Sequence, residues 1–325
     1  MKFDYANPYR STRIPVFARN VVSTSHPLAV QAGLGIMQQG GNAVDGAIAA
    51  AAVMTLVEPV SNGLGSDAFC ILWDGEKLHG INASGCSPEA WTPEYFQRKY
   101  GKAATPPQRG IDSVTVPGAV GCWVALSEHF GKLDFEDLLQ PAIEIAERGY
   151  LMPPVVQQKW AAATPLLRAQ PGFEQAFLPW GRAPHVGELF RFPAAARALR
   201  AIAATRGEAF YRGEIAQAIE KFVAAHGGSL KASDLAAWQP EWVEPVARGY
   251  RGHTLHEMPP SGQGMAALIA LGILERFDLA SLPVDSVASQ HLQIEAMKLA
   301  FADVYRYVAE PSSMTVTPAQ MLDDA

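Results

Sequence analysis

The chain has 325 residues, 49% of them apolar, with 26 Lys and Arg against 32 Asp and Glu, giving a formal net charge of −6. That length supports one large domain or two small ones with a substantial core, and the composition excludes a disordered polymer. A mildly acidic chain without clustered Lys and Arg lacks the electrostatic footprint of a nucleic-acid binder.

In chain order, "VVSTS" (Val21 to Ser25) reads as a strand end, and Ser25 is the expected N-cap of a helix whose first turn carries Pro27. Gly40 and Gly41 stop that helix and Asn42 caps the next. The second helix, "AVDGAIAAAAVMTLV", has 15 residues and contains Asp45. It falls short of the roughly 20 apolar residues a bilayer needs, so it is expected as a buried helix and no membrane partner is expected. Two apolar runs around Asp74-Gly75 predict a hairpin. "GAVGCWVALSEHFG" and "DFEDLLQPAIEIAERG" predict consecutive helices closed by glycine.

From about 153 to 192 the composition shifts to proline, arginine and isolated aromatics, which predicts an irregular excursion or a small helical subdomain. Two further helices follow, "EPVARGYRGHTLHEM" predicts a second hairpin, and two long helices close the chain. Four to six strands are too few for so many helices. The whole of 1–325 reads as one α+β domain short of strands, with no repeat and no long linker.

The chemistry-bearing residues form no complete catalytic set. "GLGSD" is followed by a strand and lacks the Lys-Ser/Thr of a phosphate loop, and no G-x-S-x-G elbow occurs. His253 and His256 fall on opposite faces of a predicted strand, and the other histidines lack ligand spacing, so neither a metal nor another cofactor is expected. Cys70, Cys86 and Cys122 lie in apolar or small-residue surroundings. Reduced thiols are expected, and Cys86 in particular is expected as a small packed thiol with nothing local to activate it. The first residues carry no apolar signal-like core, and a cytoplasmic location is the expectation. "MPPSGQG" before a helix is expected as a structural turn, although its glycines and the helix N-terminus could meet an anion or a carbonyl.

Four stretches in order carry a resemblance. They are "VVSTSHPLAVQAGLGIMQQGGNAVDGAIAAAAVMTLVEPVSNGLG", "VTVPGAVGCWVALSEHFGKLDFEDLLQPAIEIAERGY", "FYRGEIAQAIEKFVAAHGGSLKASDLAAWQPEWVEPVARGYRGHTLHEMPPSGQG" and "EAMKLAFADVYRY". Together they resemble the large subunit of the gamma-glutamyltransferase family over roughly Asn20 to Pro311.

The resemblance implies an N-terminal-nucleophile hydrolase made as a self-cleaving precursor. Its fold would be a four-layer αββα sandwich, completed by strands from a small partner subunit. The threonine that begins that subunit would attack the substrate amide with its own α-amine as base. No such threonine follows "PAQMLDDA", so the nucleophile is expected on the partner. An αβ heterodimer is implied, and a dimer of heterodimers is an assembly the family pattern allows. In gamma-glutamyl enzymes an arginine in a pattern like R-E-x-A-P grips the glutamate α-carboxylate. Here the aligned residues are "SGCSP", which puts Ser84, followed by Gly85 and Cys86, where the arginine would be.

The expected substrate is therefore a small non-glutamyl amide such as oxamate, with cephalosporin- or glutaryl-acylase activity in the same class. The alternative is a gamma-glutamyl transferase or glutathione hydrolase in which Arg109, or a partner arginine, takes the carboxylate. A third reading from another class is an inactive member that serves as a binding module.

Overall fold

The computed structural model describes residues 16–101 and 105–323. Helix α1 (Pro27–Gln38) starts one residue later than the sequence suggests. Pro27 occupies its first position, so the cap is His26, whose Nδ1 accepts the Leu28 N–H at 3.2 Å. Asn42 caps α2 (Ala43–Val57) in a capping box: its Oδ1 accepts from the Asp45 N–H, and Asp45 Oδ2 accepts from the Asn42 N–H. Asp45 is fully buried and also accepts the Lys132 N–H, which ties α2 to a segment 87 residues further along the chain. The two helices touch at glycines: a Cβ on Gly33 would lie 2.8 Å from the Gly46 carbonyl oxygen. That close approach lets α2 bury nearly its whole circumference.

Strands β1 (Ala68–Trp73) and β2 (Leu78–Ala83) form the expected antiparallel hairpin around Asp74-Gly75, in a register from Ala68↔Ala83 to Trp73↔Leu78. After it come α3 (Pro93–Tyr100), α4 (Ala119–Phe130) and α5 (Phe135–Arg148). A short pair, β3 (Tyr150–Leu151) and β4 (Leu189–Phe190), brackets α6 (Pro154–Leu167) and α7 (Phe173–Phe177). The aromatics of 153–192 have a packing role here. Trp160 stands edge-on to Phe190 at 5.1 Å and to Phe177 at 5.8 Å. Next are α8 (Pro193–Thr205), α9 (Glu208–Tyr211), α10 (Glu214–Ala225) and α11 (Ala232–Ala237). Strand β5 (Glu241–Val243) then joins the free side of β2 and gives the order β1-β2-β5.

The chain ends in a second antiparallel hairpin, β6 (Val246–Tyr250) and β7 (His253–Glu257), with α12 (Gly264–Leu274) and α13 (Val287–Tyr307). These elements bury their own apolar cluster, with Met265, Leu268 and Ala300 at its centre. The larger core runs from Ala29 on α1 to Leu235 on α11. The architecture is mixed helix and sheet, with seven strands among the described residues against the four to six expected, and two of them are only two residues long. Val21–Ser25 is not a strand. It lies outside every ladder, because a strand needs a hydrogen-bonded neighbour and none of the described residues supplies one. No described helix is long and apolar enough to cross a membrane.

His26 makes a pH prediction. It is 5% exposed, its Nε2 has no hydrogen-bond partner among the described residues, and burial lowers its pKa from an ordinary value near 6.5, against a smaller opposing pull from Glu58. As pH falls below 6.5 the unfolded chain takes up a proton that the folded chain resists, so stability is lost from about pH 6.5 downward. His26→Asn keeps a capping acceptor and removes the titration. Its melting temperature is expected to fall less than the parent's between pH 7.5 and 5.5, as read by calorimetry.

Candidate functional site

Three backbone segments meet at one end of the β1–β2 hairpin: Asn62–Asp67 before β1, Asn82–Cys86 at the end of β2, and Val114–Ala119 leading into α4. The Ser66 carbonyl accepts the N–H groups of Gly118 (3.0 Å) and Ala119 (2.9 Å), and the Cys86 carbonyl accepts that of Val116 (2.9 Å). Ser66 Oγ accepts the Gly63 N–H at 2.7 Å and Asn82 Oδ1 the Ser84 N–H at 3.0 Å, so the turns are closed from inside. Two glycines make the meeting possible. Gly85 has φ +81°, and a Cβ on it would fall 1.8 Å from the Val116 oxygen. A Cβ on Gly118 would fall 1.8 Å from the Ala83 oxygen.

Tyr211 fixes the third segment from behind. Its buried hydroxyl accepts the Gly121 N–H (2.9 Å) and donates to the Pro117 carbonyl (2.8 Å), and burial raises its pKa. The sequence did not single this residue out, because no local pattern marks a tyrosine that bonds a backbone 90 residues away.

Beside these segments lies a cavity of about 500 Å³. Ala47, Ala51 and Met54 of α2 and Trp123 of α4 make it mostly apolar, and the unpaired Val21–Thr24 forms one rim. Asp67 is the one charged residue among those that line it.

The structure brings Ser84, Gly85 and Cys86 into this junction. Ser84 and Gly85 are half-buried. Cys86 is exposed, not packed as the sequence suggests, because its carbonyl and not its side chain faces the Val114–Ala119 segment. Partial desolvation and, second, the negative charge of Asp234 raise its pKa, which opposes formation of a reactive thiolate. Arg109 lies outside the three segments. It is exposed in the turn ahead of Ile111–Ser113, makes no hydrogen bond or ion pair among the described residues, and none of the contacts of Ser84–Cys86 is with it. His253 and His256 occupy opposite faces of β7, and no three His, Cys, Asp or Glu among the described residues come together as a metal site.

The profile of the family described as gamma-glutamyltranspeptidase matches residues 29–325. The chain belongs to the gamma-glutamyltranspeptidase family. It is 34% identical to the glutathione hydrolase-like YwrD proenzyme of Bacillus subtilis, over 94% of this chain and 58% of that protein. It is also 34% identical to the oxamate amidohydrolase proenzyme of Klebsiella pneumoniae, over 91% of this chain and 56% of that protein. Among solved structures, the cephalosporin acylase from Bacillus halodurans superposes with a TM-score of 0.93 at 46% identity, over all of this chain and 61% of that one. The chain thus spans somewhat under three fifths of the curated relatives it matches. Within this gamma-glutamyltranspeptidase-family chain, the junction is built almost wholly from main-chain groups and carries no basic side chain in its three segments.

Proposed function

We propose that this chain is the large subunit of a self-processed amidohydrolase that acts on a non-glutamyl acyl amide. The observation that carries the reading is a junction without Lys, Arg or His, in which Ser84 occupies the position that the motif resemblance aligns with the family's carboxylate-binding arginine. A glutamate α-carboxylate there would lose its water without gaining a charge-assisted partner. Oxamate is a small member of this class, and larger acyl amides suit the apolar cavity.

The nucleophile is the N-terminal threonine of a small partner subunit cut from the same precursor. Its hydroxyl attacks the amide carbon while its α-amine takes the hydroxyl proton and passes it to the departing nitrogen. Water then attacks the acyl-threonine ester and releases the acid. The N–H groups of Gly118 and Ala119 are already bonded to the Ser66 carbonyl, so the oxyanion donors come from elsewhere in the assembled site.

Three features support a partner that completes a four-layer αββα sandwich and joins 1–325 into one domain. Strand β1 is a sheet edge that exposes Phe69 (45%), Ile71 (37%) and Trp73 (60%) on one face. The extended Val21–Ser25 lacks a ladder partner. The core around α12 and α13 is separate from the main one. A heterodimer in the cytoplasm is part of the proposal, in keeping with three unpaired cysteines.

The test is kcat/KM of the processed protein, expressed from the whole precursor. A neutral hexanoyl 4-nitroanilide is expected to exceed the γ-glutamyl 4-nitroanilide by tenfold or more, with ammonia release from oxamate assayed alongside. A γ-glutamyl preference would sink the reading and turn attention to Arg109 or a partner arginine.

A further inference from the structure

The register of the β1–β2 hairpin ends at Ala68↔Ala83, and Asp67 and Ser84 are the residues one step beyond that last pair, each on its own strand. The position that the motif resemblance aligns with a family cation holds a neutral hydroxyl, and the residue one step beyond the same pair on the adjacent strand is a carboxylate. Asp67 is exposed and makes no hydrogen bond or ion pair among the described residues. It is also the one charged residue lining the apolar cavity.

The surroundings reinforce the sign. Across 61–68, 82–90 and 114–119 there are two acids, Asp67 and Glu89, and no Lys, Arg or His. Asp234 comes up to the same segment by accepting the Glu89 N–H at 3.1 Å, and its charge is felt at Cys86. A carboxylate at the edge of an apolar, weakly polarisable cavity interacts with a ligand charge more strongly than one in open water.

We propose that Asp67 selects the substrate of this site by charge, favouring an amide whose acyl chain ends in a protonated amine over one that ends in a carboxylate. This rests on the amidohydrolase reading above and narrows it. Among non-glutamyl amides it turns the site away from anions, oxamate included, toward neutral and cationic acyl groups. An acyl chain in this cavity would lay its methylenes against Ala47, Ala51 and Met54, with a terminal ammonium beside Asp67.

The experiment uses the processed holoenzyme and three 4-nitroanilides of equal chain length: 6-aminohexanoyl, hexanoyl and adipoyl. The expected order of kcat/KM is ammonium, then neutral, then carboxylate, with about a hundredfold between the extremes at low salt. Asp67→Asn is expected to shrink that span tenfold or more, Asp67→Glu to keep the order, and added salt to compress it because Asp67 is exposed. Each ratio is internal to one protein, so a loss of folded enzyme cancels.

If the neutral anilide is cleaved and the three rates are equal, or if Asp67→Asn leaves the span unchanged, the charge selection is wrong and the amidohydrolase reading stands. That result would follow if the partner subunit neutralises Asp67. If no anilide is cleaved, calorimetry with 6-aminohexanamide and adipamate decides the matter alone. Asp67-dependent binding of the amine would then uphold the selection while the reaction is abandoned, and equal or absent binding would overturn both.

Discussion

Gly85→Ala and Gly118→Ala are each expected to destabilise the protein by more than about 4 kcal/mol, enough to prevent a soluble, processed enzyme from accumulating. At Gly85 the new methyl meets the Val116 oxygen at 1.8 Å and the backbone sits at φ +81°, where an L side chain alone costs about 1–2 kcal/mol. Neither wall can retreat. Moving Val116 breaks its N–H bond to the Cys86 carbonyl, and moving the following turn breaks the bonds of Gly118 and Ala119 to Ser66 and that of Pro117 to Tyr211. Gly118 meets the same limit from the other side, at the Ala83 oxygen. Gly75 is the control. Its φ is +108° but a Cβ there would find open space, so Gly75→Ala should cost only about 1–2 kcal/mol. Thermal unfolding of the three variants, with the soluble fraction for any that fail to purify, separates contact from strain. Equal effects at all three glycines would mean that the backbone junction is looser than the contacts imply.

These glycines also mark how far the sequence could be read. Element ends governed by local chemistry were legible: the Asn42 cap with Asp45 three residues on, the Asp74-Gly75 turn, and the glycines that close α4 and α5. The misplaced cap at Ser25 was a local error with a local cause, since the proline fixes the first helical position and the cap must be the residue before it. Val21–Ser25 is different. Its β-branched Val21, Val22 and Thr24 suit a strand, but pairing depends on a neighbour that none of the described residues supplies.

The site divides along the same line. Motif order made the family legible and pointed to Ser84–Cys86. The placement of Asp67 and Ser84 one step beyond the last strand pair and the double hold of Tyr211 on the Val114–Ala119 segment follow from register and tertiary contact alone. Cys86 shows the same limit on the scale of one residue. Small neighbours suggested packing, yet the chain turns its carbonyl inward and leaves the side chain outside.

Ser84→Arg combined with Asp67→Asn is expected to raise kcat/KM for the adipoyl and γ-glutamyl anilides a hundredfold or more relative to the parent, with little gain for the hexanoyl anilide. An arginine here restores a cation at the family position, and a guanidinium–carboxylate pair in a half-buried setting is charge-assisted and can be bidentate. Ser84→Arg alone should give much less, about tenfold, because Asp67, one step beyond the same strand pair, would compete for the guanidinium. The two substitutions are therefore expected to be non-additive, and the excess of the double variant over the product of the singles measures the Asp67 competition directly. A gain in the single variant equal to that in the double would mean that Asp67 points away from position 84. No gain in either would place the acyl carboxylate elsewhere in the assembled enzyme. Arg109→Ala would then be the next variant, and loss of its γ-glutamyl activity would mark that exposed arginine as the carboxylate partner once the small subunit is docked.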